Sequence, residues 1–221
     1  MYKTINWHLE DEIGFVELNS PPANSMTRDF FYEIHEISDD ILGNEDIKAI
    51  IISGTGRHFS SGADINDLLT FDPGNPHQAK DFYIANSETF KRFYTAKMPV
   101  IAAIKGVCIG SAMELAMSCH FRVAAENIVM GFPEAEYNLM TGCGGSVYLA
   151  AHVKKMTSID MMLGGEMLDA SGAQQSGLVD LIVKKDDVLK KAVNFAKRIY
   201  TNYNPDLRDY YVHKFLSGDS K

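Results

Sequence analysis

Two glutamates, Glu114 and Glu134, stand in surroundings that can turn a carboxylate into a proton-transfer group. Glu114 follows a small-residue turn in Ile109-Gly110-Ser111-Ala112-Met113-Glu114-Leu115. A helix beginning near Ser111 or Ala112 would present unpaired N–H groups and the positive end of its dipole there. The small residues Gly110, Ser111 and Ala112 let a carbonyl approach those amides. Glu134 ends Ile128-Val129-Met130-Gly131-Phe132-Pro133-Glu134, an apolar strand closed by a proline. That setting predicts partial burial and a raised pKa, hence a proton donor near neutrality. Glu136 is its rival, and strand-like alternation would place both on one face. A third segment, Phe59-Ser60-Ser61-Gly62-Ala63-Asp64-Ile65, has Gly62 for an unusual backbone angle and an Ala63 side chain too small to shield its own amide. Downstream, Gly142-Cys143-Gly144-Gly145 predicts another helix N-terminus near the site, able to bind an anion or an ordered water. Paired carboxylates beside exposed amide donors point to acid–base chemistry on a carbonyl compound. Taken singly, each feature also has an ordinary reading as a dipole-favoured acid, a solvated loop acid or a glycine turn.

Other chemistries find less support. Ser111 lacks the Gly-x-Ser-x-Gly elbow of a serine hydrolase and has no evident histidine partner. The histidines are scattered without a His-x-x-x-His metal pair, and His58 and His120 read as structural. Cys108, Cys119 and Cys143 cannot all pair within the chain and lack metal-ligand spacing, which predicts a reduced, cytoplasmic protein with no metal. Tyr83 and Tyr137 could close a pocket, although aromatic core is the default. A net charge of −8 argues against nucleic acid or an anionic membrane surface as partner, while leaving room for an anionic substrate. The N-terminus reaches charged residues too soon for a signal peptide, and the longest apolar stretch, Pro99–Val107, is broken by Lys105 and too short for a bilayer.

The elements that must position these groups alternate. With 221 residues and 46% hydrophobic composition, the chain can bury a sizeable core. Lys3–Glu10 and Ile13–Asn19 read as a hairpin, Thr27–Ile41 as a helix capped by Thr27 or Ser25, and Ile47–Ser53 as a buried strand. A long helix over His77–Ala96 and a second buried strand, Val100–Ile104, follow the glycine-rich segment. Further on come a helix over Ala112–Ser118 and strands at Phe121–Ala125 and Ile128–Gly131. Helices are predicted at Gly145–Val153, Ser158–Leu163 and Ala170–Ser176, a strand at Leu178–Val183, then helices at Val188–Tyr200 and Pro205–Leu216. Phe71–Pro76 reads as a mobile surface loop. The alternation implies an α/β protein with largely parallel pairing.

Together these segments resemble the crotonase (enoyl-CoA hydratase/isomerase) superfamily. The matching residues are Phe59–Ile65, Ile104–Ala116, Gly131-Phe132-Pro133-Glu134, Gly142–Gly145 and Ala173-Gln174-Gln175-Ser176-Gly177-Leu178-Val179, in order and at fitting separations. The resemblance implies a spiral of repeated ββα units over residues 1–186, a shortened C-terminal helical segment over 187–221, and a homotrimer or dimer of trimers. It implies an acyl thioester substrate on coenzyme A or an acyl-carrier protein, with its carbonyl held by the amides of Ala63 and Ser111. Gly62, Asp64, Ile65, Gly110 and Gly144 would contact substrate. Coenzyme A enters as part of the substrate, and no other cofactor is required. Asn66 and Asp67 stand where relatives often carry a phosphate-binding lysine, which leaves Arg57 or Arg28 for that task. Glutamate at both acidic positions resembles the hydratases, with Glu114 and Glu134 sharing a water. A Δ3-Δ2 isomerase using Glu134 alone, a polyketide-type dehydratase or decarboxylase, and an inactive binding protein on the same fold are the alternatives.

Overall fold

A computed structural model describes residues 2–68, 70, 76–137 and 139–208. Strand β1 (Ile5–Glu10) turns back on β2 (Ile13–Leu18) as an antiparallel pair. Asp11 and Glu12 make the turn at φ 50° and 62°, the backbone sign that a tight two-residue hairpin needs. Helix α1 (Arg28–Leu42) buries Phe30, Phe31, Ile34, Ile37 and Ile41 on one stripe, and the Thr27 hydroxyl caps it by accepting from the Phe30 amide. The Ile-rich run forms β3 (Ala49–Gly54), buried along its whole length. Fully burying an isoleucine there contributes about 1.5–3 kcal/mol.

Next come the single turn α2 (Ile65–Leu68), the long helix α3 (Pro76–Tyr94) and β4 (Val100–Ile104). A three-residue strand β5 (Val107–Ile109) leads into α4 (Ser111–Ser118), all eight residues of which are buried. Strands β6 (Phe121–Ala125) and β7 (Val129–Gly131) precede a 3₁₀ turn at Pro133–Tyr137. Helices α5 (Gly145–His152) and α6 (Lys155–Gly164), strand β8 (Met167–Asp169), helix α7 (Ala170–Gln175) and strand β9 (Leu181–Val183) complete the core. Helix α8 (Val188–Ile199) then returns across β3, β4 and β6, turning its small residues Ala192 and Ala196 inward.

Six strands form one sheet in the order β1-β2-β3-β4-β6-β9, parallel except for the first pair, and β5-β7-β8 form a second. This is an α/β architecture built on a largely parallel sheet. Both glycine-rich segments leave the carboxyl ends of neighbouring parallel strands, β3 and β4, where open parallel sheets place their ligands.

Among the described residues the expected elements form, several with ends shifted by up to three residues. Strand β9 begins at Leu181 rather than Leu178, because Gly177 turns at φ 88° and the Leu178 and Val179 amides both donate to the Ala173 carbonyl at the end of α7. Helix α6 starts three residues before the expected Ser158. Only the first part of the helix expected over Pro205–Leu216 is described: residues 205–208 are helical, and 209–216 lie outside the described residues, as do 71–75 of the expected loop. No described helix is long and apolar enough to cross a membrane.

Candidate active site

The segment leaving β3 is held by one buried side chain. Asn24, 1% exposed, donates from Nδ2 to the carbonyls of Thr55 (2.9 Å), His58 (3.0 Å) and Phe59 (3.2 Å). The Ser60 hydroxyl donates to the Asn24 carbonyl at 2.6 Å and accepts from the Gly62 amide at 3.0 Å. Met26 then bridges this segment by donating to the Gly62 carbonyl and accepting from the Asp64 amide. In such a parallel bridge the residue between, Ala63, turns its own N–H away from Met26. Gly62 sits at φ 82° with the Ile109 carbonyl 2.6 Å and the Ser111 amide 3.3 Å from where a Cβ would lie. Two chain segments thus close on each other through the missing side chain. The Ser111 amide, first in α4, belongs to the unpaired first turn. Ala63 and Ser111 line the same cavity of about 90 Å³, together with Ser61, Ile65, Gly110 and Glu134.

Glu114 is fully buried, and its Oε1 accepts from the amides of Cys143 and Gly145, each at 2.7 Å. The glycine-rich turn that opens α5 therefore donates to a carboxyl group of the chain itself, that of Glu114. Burial pushes the Glu114 carboxyl up, while the Gly145 and Cys143 amides pull it back down. Glu134 lies in the 3₁₀ turn beside Gly110, whose missing Cβ would stand 2.7 Å from Glu134 Oε1. Burial, aided by the Glu114 charge and opposed by Glu134's own amide, pushes its carboxyl to about 7. Both glutamates keep a buried Oε2 without a hydrogen-bond partner among the described residues. A buried carboxylate oxygen without a donor is costly unless a proton, a water or a substrate meets it.

The chain matches the enoyl-CoA hydratase/isomerase family over residues 8–211. It belongs to that family. A Mycobacterium bovis protein named probable enoyl-CoA hydratase echA8 is 33% identical over 192 residues, 86% of this chain and 73% of that one. A Rhizobium meliloti protein, also named a probable enoyl-CoA hydratase, is 32% identical over 200 residues, covering 90% and 76%. Among solved structures, an enoyl-CoA hydratase subunit I from Geobacillus kaustophilus superposes with a TM-score of 0.86 at 27% identity, over 98% of this chain and 83% of that one.

Within this enoyl-CoA hydratase/isomerase chain, Gly62, Ala63, Ile65, Gly110, Ser111 and Glu134 meet at one cavity. Glu114 stands directly behind it, joined through the Cys143 turn. Gly144 caps α5 at φ 98° and lies outside the lining. Asp64 is also outside it and closes its own loop by accepting from the Asn66 amide at 2.9 Å. Arg57 is exposed on the turn after β3, beyond the cavity wall. Arg28 reaches the Asp67 carbonyl (3.3 Å) and the Thr70 hydroxyl (2.6 Å). The shared face expected for Glu134 and Glu136 does not form. The strand ends at Gly131 and Pro133 opens a 3₁₀ turn, whose three-residue period sends Glu136 out to solvent. Sequence reasoning left Cys143 and Gly145 without their role toward Glu114. Their one signal was the anion-binding character of the glycine-rich turn, which named no anion. Phe31, Phe82, Leu139 and Met140 also line the cavity, and nothing in their spacing marks them.

Proposed function

We propose that this protein is a hydro-lyase that adds water to an α,β-unsaturated acyl thioester, or removes it in reverse. One observation carries the reading: a buried glutamate and a half-buried one beside one amide-lined cavity, each with a buried Oε2 unpartnered among the described residues. The amides of Ala63 and Ser111 would receive the thioester carbonyl, making the β-carbon electrophilic. Water oxygen then bonds to the β-carbon, the π pair moves into the carbonyl as an enolate, and the enolate collapses as the α-carbon takes a proton. Removing one preorganised donor from such a hole costs on the order of 3 kcal/mol.

The roles of the two acids follow from their partners. Glu114 receives two backbone N–H groups and holds the negative charge better, so it orients the water and accepts its proton. Glu134, with only its own amide opposing burial, keeps a proton near neutrality and delivers it to the α-carbon. Coenzyme A would enter as the carrier of the acyl group, and this acid–base route uses no metal or redox partner. By analogy with the family, the chain would act as a trimer or a dimer of trimers.

A second reading has its own support. Glu134 is the one acid among the described lining residues, whereas Glu114 lies behind the wall. A Δ3-Δ2 isomerase would need Glu134 alone to carry a proton between carbons. Incubating the purified protein with crotonyl-CoA and with 3-hexenoyl-CoA separates the two. Water incorporation into crotonyl-CoA is expected, and a drop of roughly 10²–10⁴-fold in Glu134→Gln. Bond migration in 3-hexenoyl-CoA without hydration of either thioester would replace hydratase by isomerase.

A further inference from the structure

The cavity beside Glu134 is small. At about 90 Å³ it falls well below the roughly 300–1,000 Å³ typical of ligand pockets. Taking about 30 Å³ for a water, it has room for about three heavy atoms. Immediately behind it lies a second hollow of about 420 Å³, between α1 and α3, lined by Tyr32, His35, Ala85, Asn86 and Thr89. Two side chains line both spaces: Phe31 of α1 and Phe82 of α3. Their rings meet edge to face at 5.1 Å and form the wall between them. Phe31 is locked from behind by Phe30 at 5.4 Å and is only 4% exposed. Phe82 is braced by the Tyr83 ring at 5.8 Å, and Tyr83 in turn packs on Gly142, where a Cβ would lie 2.3 Å from the ring. Helix α3 is thereby pinned to the same turn that binds Glu114.

We propose that Phe82 is a partition that sets acyl length: intact, it confines the site to short-chain thioesters of about four carbons, and its removal joins the site to the α1–α3 hollow. This rests on the thioester reading above but not on which reaction follows. A longer acyl chain entering past the amides of Ala63 and Ser111 meets the Phe31–Phe82 pair before it can bury further methylenes. Ordinarily each buried methylene strengthens binding about four-fold. The partition reverses that trend.

Calorimetric titration with two saturated thioesters, butyryl-CoA and decanoyl-CoA, tests this without any turnover. The wild-type protein is expected to bind butyryl-CoA at least about ten-fold more tightly than decanoyl-CoA. Phe82→Ala is expected to bring decanoyl-CoA to equal or tighter binding. Adding Ala85→Phe, which fills the hollow from α3, should restore the short-chain preference. Equal affinity of the wild type for both ligands overturns the proposal, as does an unchanged ratio in Phe82→Ala with a wild-type melting curve. If Phe82→Ala fails to fold, Phe82→Leu must still narrow the ratio, and an unchanged ratio there is equally fatal. Binding of neither thioester removes this proposal and the thioester reading together. Selective binding without hydration leaves the partition standing and removes only the hydratase assignment.

Discussion

At Glu134, burial and a neighbouring negative charge act in the same direction. The carboxyl is held at about 7, well above an ordinary glutamate near 4.3. A folded-state value above the unfolded one means that the fold favours the protonated form. Its contribution is fully present below about 4.3 and is lost as pH rises through about 7. Glu134→Gln removes that titration, so between pH 4 and pH 8 it should gain on the order of 2–3 kcal/mol over wild type in urea unfolding. A parallel pH dependence in both proteins would contradict the burial argument. On the proposed route the same group would divide the two directions of the reaction. Hydration would use protonated Glu134 and should fall as pH rises through about 7, whereas dehydration would use the ionised form and should rise over that range. Initial rates in both directions across pH 5–9 would reveal the crossing. Gly110 offers a geometric check, because a methyl at that position would stand 2.7 Å from Glu134 Oε1 at a backbone φ of 57°. Gly110→Ala should cost about 10²-fold in kcat while thioester binding changes little.

Among the elements, the segment that carries Ala63 depends most on a single residue. Asn24 answers three carbonyls with one amide group and accepts the Ser20 amide at 3.1 Å, all while nearly inaccessible to water. Asn24→Ala leaves those carbonyls without a donor and should destabilise the protein by about 2–4 kcal/mol. Amide exchange should accelerate over residues 55–62 more than in α1, and uniform exchange would argue against a local anchor. This dependence could not be seen in the sequence, because Asn24 and Phe59 lie on different segments and no periodicity links them. The same holds for Glu114, whose donors sit on the turn before α5, 29 and 31 residues away. What could be read was local: the apolar stripe of α1, the buried runs of β3 and β4, and the small residues that open α4 and α5. Strands β5 and β8 escaped because three residues are too few to show a period. Phe82 escaped because its neighbours on α3 give no sign that its ring separates two spaces.

For the whole molecule, the surface beside the site carries several strongly exposed apolar side chains. Met140, Val147, Met156 and Leu163 are 89%, 70%, 63% and 78% exposed, and three of them lie on α5 and α6, which pack on one another. Exposed apolar side chains grouped in this way mark association surfaces. The position has a consequence for catalysis, since α5 begins at the Cys143–Gly145 turn that holds Glu114, and Met140 lines the cavity itself. A neighbouring copy seated on this face would brace α5 and, through it, the Glu114 carboxylate. The wild-type protein should therefore sediment as a trimer or a hexamer. Val147→Glu, at an exposed position two residues after the Gly145 amide that holds Glu114, places a charge on that face and should shift the protein toward monomer. If association braces the site, hydration should fall in step with the loss of the oligomer, and raising the protein concentration should recover both together. A wild-type monomer would remove the surface argument, whereas a fully active monomeric Val147→Glu would keep the association and sever it from the chemistry.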